Sequence, residues 1–240
     1  MPAKRILILG GTGLARLAAD ALVEQGFDVT SSLAGVTHSP HLPKGKLRIG
    51  GFGGVAGLKI YLAEEKFDLI ADATHAFAAQ MSAHAFAACD KMSVKLLRLE
   101  APAWQPQAGD DWREVENVAA AVAVLPQCAK VVVTVGRKEV GQFFARADLS
   151  GVARMIEQAD GPAPSNWQVM LERPPFTLEA EIDLLRASLA EFLVSKNAGG
   201  ARPNKLDAAA ALALPVIMVR RPFKPAVQTL ENVAELLTAI

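Results

Sequence analysis

Cysteine is scarce in this chain: Cys89 and Cys128 are its two thiols among 240 residues, 39 positions apart and with no close His or Cys neighbour. That spacing supplies neither a cysteine-based zinc site nor a disulfide framework, and it suits a reducing compartment. Aromatic residues are few, 6% of the chain, and are not interleaved with basic ones, which disfavours stacking on nucleic-acid bases. Neither charge is in excess, since 25 Lys and Arg balance 25 Asp and Glu. No overall field draws the protein to nucleic acid or to an anionic membrane, so anion recognition has to be local. Long apolar runs are missing despite a mean hydropathy of +0.23. The longest charge-free apolar stretches, 118–126 and 208–219, fall short of the ~20 residues of a spanning helix, and Pro215 breaks the second. The apolar run 6–9 stops at Gly10-Gly11, too short for a secretory core of ~7–15 residues. The expectation is a cytoplasmic protein that binds no nucleic acid, membrane or metal.

What is present is an ordinary globular composition, 51% hydrophobic and 21% charged, on a length suited to one or two domains. Residues 5–9 form a continuous apolar run that reads as a strand buried on both faces. A glycine turn follows, then apolar spacing of three and four through Leu14, Leu17, Ala18, Ala21 and Leu22, Gly26 as the helix stop, and a second strand at 27–32. This is a βαβ unit. The rhythm continues with strands at 46–49, 67–71 and 94–97 and helices at 55–65 and after His75 to about Ala88, which predicts a doubly wound sheet. Residues 100–112, rich in proline and aspartate, read as loop and as a hinge region. A second series has strands at 131–135, 152–157, 168–171, 192–194 and 215–219 and helices at 139–145, 178–188, 204–212 and 230–239. The predicted fold is α/β with two Rossmann-like halves, 1–127 and 128–240, each a mostly parallel sheet flanked by helices, with a cleft between them. No internal repeat is convincing.

Gly10-Gly11-Thr12-Gly13 follows a strand and opens a helix, so backbone N–H groups and the positive helix end converge on a point suited to phosphate. The G-x-G-x-x-G fingerprint is imperfect, because Arg16 stands where Gly or Ala belongs, and no Walker A lysine follows. A tight turn without a ligand is the plainer alternative. An NAD site places Asp or Glu at the end of the second strand, whereas this chain has Thr30, Ser31 and Ser32. Hydroxyls without a carboxylate favour NADP, with Ser31, Ser32 and Arg16 as candidate donors. Other polar clusters fall at predicted strand ends: 72–75 with Thr74 and His75, 134–137 with Gly136 and Arg137, and 195–200. From Lys196 to Lys224 there are six basic residues against one acid, Asp207. The segment reads either as a solvated face or as a site for a polycarboxylate, with Lys196 and Lys205 flanking a glycine turn. Arg173-Pro174-Pro175-Phe176 adds a basic and aromatic corner.

These segments resemble the precorrin-6A reductase family of cobalamin biosynthesis. The matching stretches are ILILGGTGLARLA (6–18), SLAGVT (32–37), GGFGG (50–54), DATHAFAA (72–79), TVGR (134–137), RPPF (173–176) and SKNAGG (195–200), followed by Lys205-Leu206. The family usually carries Glu, Arg, Pro and Ser where this chain has Leu14, Val36, Ala76 and Ala198. The resemblance implies an NADPH-dependent oxidoreductase that adds a hydride and a proton to one double bond of the precorrin-6A macrocycle, giving precorrin-6B. It also implies roles. Gly10, Gly11, Thr12, Gly13, Leu14, Ala15 and Arg16 would hold the pyrophosphate, and Ser31, Ser32 and Gly35 the adenosine side. Thr74 and His75 would lie near the nicotinamide and the macrocycle, with His75 also contacting the substrate. Gly136, Arg137, Arg173, Phe176, Lys196, Asn197, Gly199, Gly200 and Lys205 would grip the substrate, with water, His75 or Lys196 as proton donor. Transient contact with neighbouring pathway enzymes is the one protein partnership this brings. A reductase of a small carbonyl or imine, and a non-catalytic NADP-binding redox sensor, stay open as alternatives.

Overall fold

The structure is a computed structural model that describes residues 3–34 and 42–240. The chain opens with β1 (Arg5–Leu9), α1 (Gly13–Glu24), β2 (Asp28–Leu33), β3 (Lys46–Ile49), α2 (Gly54–Glu65), β4 (Leu69–Asp72), α3 (Ala79–Met92) and β5 (Lys95–Leu99). It continues with β6 (Trp112–Val115), α4 (Val118–Val124), β7 (Lys130–Thr134), α5 (Gly141–Phe144), β8 (Ser150–Met155), β9 (Trp167–Leu171), α6 (Leu178–Ala187), β10 (Phe192–Lys196), α7 (Asn204–Ala211) and β11 (Val216–Val219). It closes with β12 (Thr229–Leu230) and α8 (Val233–Ala239). No described helix is long and apolar enough to cross a membrane.

These elements form two compact units. One runs through Pro102 and resumes at Phe223–Ile240; the other is Ala103–Pro222. The sequence reading divides the chain at 127 instead, because it takes 100–112 for loop and misses β6, α4 and β12. β6 and α4 belong to the second unit, and the last strand and helix return to the first.

The first unit holds a six-stranded, all-parallel sheet in the order β3-β2-β1-β4-β5-β12, the 3-2-1-4-5-6 order of dinucleotide-binding folds. Both of its faces are covered, as a parallel sheet requires. Ile6 and Ile8 pack with Ala15, Ala18 and Leu22 of α1 and Leu236 of α8. Leu7 and Leu9 point the other way, to Leu58 and Leu62 of α2 and Ala85 and Ala88 of α3. The continuous apolar run of β1 is thus two alternating faces, each buried.

The second unit orders its strands β9-β8-β7-β10-β11-β6. Its outermost strand beside β11 comes from the start of the unit rather than its end. There β6 takes the place that β12 takes in the first unit, and each is followed by a short helix capped by an asparagine, Asn117 or Asn232. The local sequence is the same tetrapeptide: Glu116-Asn117-Val118-Ala119 and Glu231-Asn232-Val233-Ala234. This is an internal repeat too short to register until topology aligns it.

Candidate functional site

In an open parallel sheet, the loops leaving two adjacent strands diverge where the strand order reverses, and ligands bind in that crevice. The first unit reverses between β1 and β4, the second between β7 and β10. Most of the residues singled out by sequence lie on the turns that leave these four strands.

In the first unit, the N–H of Gly10 donates to the Ser32 carbonyl at 2.9 Å. A Cβ at Gly10 would meet Leu33 Cδ2 at 3.1 Å, and Gly11 has φ +115°, which favours glycine. At Gly11 and Gly13, by contrast, an added Cβ would meet nothing within 4 Å, so the turn is open on its outer side. Thr12 caps α1: its hydroxyl accepts from the N–H of Ala15 at 3.0 Å and donates to the Ala73 carbonyl at 3.0 Å, joining the turns after β1 and β4. The remaining N–H groups of the first turn of α1 point outward at its positive end. Ala15 and Ala18 are buried against the sheet, so small side chains serve the close helix packing for which the fingerprint uses a third glycine. Arg16 instead lies 3.5 Å from Asp20, and Leu14 packs on the core.

After β4, Asp72 is 1% exposed. Its Oδ1 accepts from the Thr74 hydroxyl at 2.7 Å and the Thr74 N–H at 3.3 Å, and its Oδ2 lies 3.5 Å from Arg98 Nε. His75 is exposed at the tip of the turn. Its Nδ1 accepts from the N–H of Phe77 at 3.2 Å, which leaves Nε2 to carry the proton of the neutral ring. The His75 carbonyl accepts from Lys224 Nζ at 3.4 Å, and Lys224 also pairs with Glu100. Burial and the nearby Asp72 push the Cys89 thiol up to about 12, which makes it inert.

The serines of β2 need a correction. Ser31 is 2% exposed, and its hydroxyl is enclosed without a partner, so it does not face a ligand. Ser32 accepts from Arg48 Nη1 at 3.3 Å. Arg48, at the end of β3, is the group the sequence reading missed. It donates to the carbonyls of Gly50 at 2.6 Å and Gly51 at 2.9 Å and lies 3.8 Å over the Phe52 ring. Its signal was a basic residue just ahead of the 50–54 glycine loop. Gly35 lies outside the described residues, as do Val36, His38 and His41.

In the second unit, Thr134 ends β7. Its hydroxyl donates to the Val194 carbonyl at 3.0 Å and accepts from Lys205 Nζ at 2.9 Å. Gly136 has φ +92°, and Arg137 follows half-buried. Lys196, at the end of β10, pairs with Glu139. Asn197, only 6% exposed, accepts from the Trp104 N–H at 2.8 Å and donates to the Trp104 carbonyl at 2.9 Å. Its amide therefore shapes the turn rather than reaching a ligand. The Trp104 indole donates to the carbonyls of Gly200 and Ala201 at 3.1 and 3.2 Å, and Arg221 donates to those of Asn197 and Ala198. Gly199 and Gly200 take φ of 77° and 81° within this held turn.

Nearby, Asn204 donates to the Phe176 carbonyl at 2.7 Å. Arg154 pairs with Glu181 at 2.7 Å in the interior and lies 4.0 Å over the Phe176 ring. Arg154, Arg173, Phe176, Met170 and Leu184 line a pocket of about 450 Å³, and Arg173 also lies 3.0 Å from Glu157. The basic segment 196–224 is largely neutralised from within. Besides Lys196 and Lys224, Arg202 holds Asp110 and Asp207, and Arg220 faces Glu116 at 3.8 Å. Among the described residues Lys205 and Arg137 form no ion pair. Burial, then repulsion from Arg154, pushes Lys205 down to about 8, against the pull of Glu181.

The chain matches the family model described as "Precorrin-6x reductase CbiJ/CobK" over residues 5–240. It is 44% identical to the precorrin-6A reductase of Rhodobacter capsulatus, covering 92% of this chain and 90% of that one. With the precorrin-6A reductase of Rhodococcus erythropolis it shares 42% identity, over 96% of this chain and 94% of the relative. A solved structure titled "CobK precorrin-6A reductase" superposes with a TM-score of 0.91 at 42% identity, covering 98% of this chain and 95% of that chain. Both halves of the molecule fall within these matches, and the chain belongs to the precorrin-6x reductase CbiJ/CobK family.

Proposed function

We propose that this protein is a precorrin-6A reductase that uses NADPH, with the dinucleotide held by the first unit and the substrate gripped by the second. What carries the reading is the open turn at residues 10–13. It lies at the reversal point of a sheet with dinucleotide-binding order, in a chain 44% identical to a precorrin-6A reductase. The residues present fit such a cofactor. Gly11 and Gly13 leave room beside the backbone, and the end of α1 offers N–H groups to a pyrophosphate. Near the end of β2 the charged side chain among the described residues is Arg48, a cation rather than a carboxylate, which suits a 2′-phosphate. When bound, NADPH supplies the hydride. Thr12 and the Asp72-held Thr74 fix the two turns that orient the nicotinamide end. Arg137, Arg173 and the N–H groups of Gly199 and Gly200 bind the substrate's carboxylates. The free thiols and NADPH chemistry fit the cytoplasm.

The test is anaerobic mixing with NADPH and precorrin-6A, following nicotinamide absorbance together with the macrocycle spectrum. Coupled loss of both is expected, faster with NADPH than with NADH. NADPH binding without turnover would reject the reductase reading and leave a cofactor-binding protein.

A further inference from the structure

We propose that Lys205, rather than His75 or Lys196, is the acid that protonates the macrocycle during reduction; this rests on the precorrin-6A reductase reading above. Two-electron reduction breaks one π bond. One of its atoms gains the hydride of NADPH, which leaves as NADP⁺. The other gains a proton from the Lys205 ammonium, whose nitrogen keeps the N–H electron pair and is recharged from water.

Lys205 lies in the first turn of α7 and reaches the end of β7, where its Nζ meets Thr134 Oγ1 at 2.9 Å. It therefore stands where the second unit's sheet reverses, at the end of β7 beside β10.

An acid must release its proton in the transition state, and a carboxylate on the ammonium opposes that release. Lys196 is held by Glu139. Among the described residues Lys205 has only neutral contacts, the Thr134 hydroxyl and the Trp104 ring at 5.8 Å. The charged groups facing it are Arg154 on β8, which favours deprotonation, and Glu181 on α6, which opposes it but is bonded to Arg154. On its own helix, Asp207 is taken by Arg202. The positive end of α7 also disfavours a second positive charge in its first turn. His75 is exposed, so water can compete for any proton it delivers.

The experiment has two readouts. Lysine ¹³Cε NMR of the protein without ligands, assigned with Lys205→Arg or Lys205→Met, should show one lysine titrating near pH 8. Lysines usually titrate near ~10.4. The wild-type pH–kcat/KM profile, which reports the free enzyme, should fall as pH rises through that value. Lys205→Met should lower kcat at least ~100-fold, the scale of general-acid loss, and abolish this fall while NADPH affinity stays within threefold; Lys205→Arg should not rescue. Titration of Lys205 in the ordinary lysine range overturns the proposal. So does a Lys205→Met enzyme whose kcat stays within threefold of wild type. If no variant at 205 folds, the wild-type NMR titration and pH profile decide: absence of either transition near pH 8 overturns the proposal. Failure of wild type to reduce precorrin-6A at any pH overturns the reductase reading itself, a result separable from failure at position 205 alone.

Discussion

Gly11 and Gly13 sit two residues apart but are glycine for different reasons. Gly11 needs its positive φ, whereas Gly13 starts a helix with ordinary geometry and open space around it. Gly13→Val should therefore fold with an unfolding midpoint close to wild type, yet bind NADPH at least about tenfold more weakly, because the branched side chain fills space a phosphate needs. Isothermal titration beside a urea melt checks both halves; unchanged affinity would mean the turn holds no phosphate. Lys205 carries a stability signature as well. Its folded pKa of about 8 is below the ordinary lysine value of 10.5, so between these limits the unfolded chain binds more protons than the folded one. Stability then rises with pH through that window, by up to about 1.4 kcal/mol per pH unit from this group. Subtracting the profile of Lys205→Met from that of wild type in urea melts at pH 8 and pH 10 should isolate the rise. At this scale the sequence located the turns but not the partners. Asn197 and Ser31 read as ligand contacts in the sequence, but Trp104 holds one and the closed sheet interior surrounds the other. Most of the basic segment's charge was cancelled by acids distant in sequence, such as Glu100 and Asp110, and no local pattern reveals that.

Among the elements, the buried strands were legible because a parallel sheet covered on both faces imposes unbroken apolar runs, as in β1 and β7. β6 was not, because its Trp112-Arg113-Glu114-Val115 is half exposed at a sheet edge and follows a proline-rich stretch. Two-residue β12 is below any periodicity. What marks both is the asparagine cap that follows: Asn117 accepts from the Ala120 N–H and Asn232 from the Glu235 N–H, each at 2.9 Å. Replacing either asparagine by alanine should cost about 1 kcal/mol. If the repeated tetrapeptide does the same work in each unit, the two losses should agree within about 0.5 kcal/mol in guanidinium melts. A loss confined to one site would show that only that corner depends on its cap.

For the whole molecule, the return of β12 and α8 makes one unit continuous in sequence and the other not. Ala103–Pro222 contains all six strands of its sheet, so a fragment of residues 103–222 should unfold cooperatively by itself. Residues 1–102 lack β12 and α8, whose Leu230 and Leu236 are 8% and 0% exposed and pack with Leu97 and Leu99. Alone, this piece would leave that face of its core uncovered and the edge of β5 unpaired, which favours aggregation. Lys224 pairs with Glu100, so the two ends at the break lie close together, and a flexible linker of about six residues reaches ~12–15 Å. Residues 1–102 joined through such a linker to 223–240 should then recover a sharp urea transition and bind NADPH within about tenfold of the intact protein. A joined fragment that folds but does not bind NADPH would move the cofactor out of the first unit and undo the division of labour proposed above. Binding by the joined fragment, with none by 103–222, would establish that the dinucleotide site is complete within the discontinuous unit.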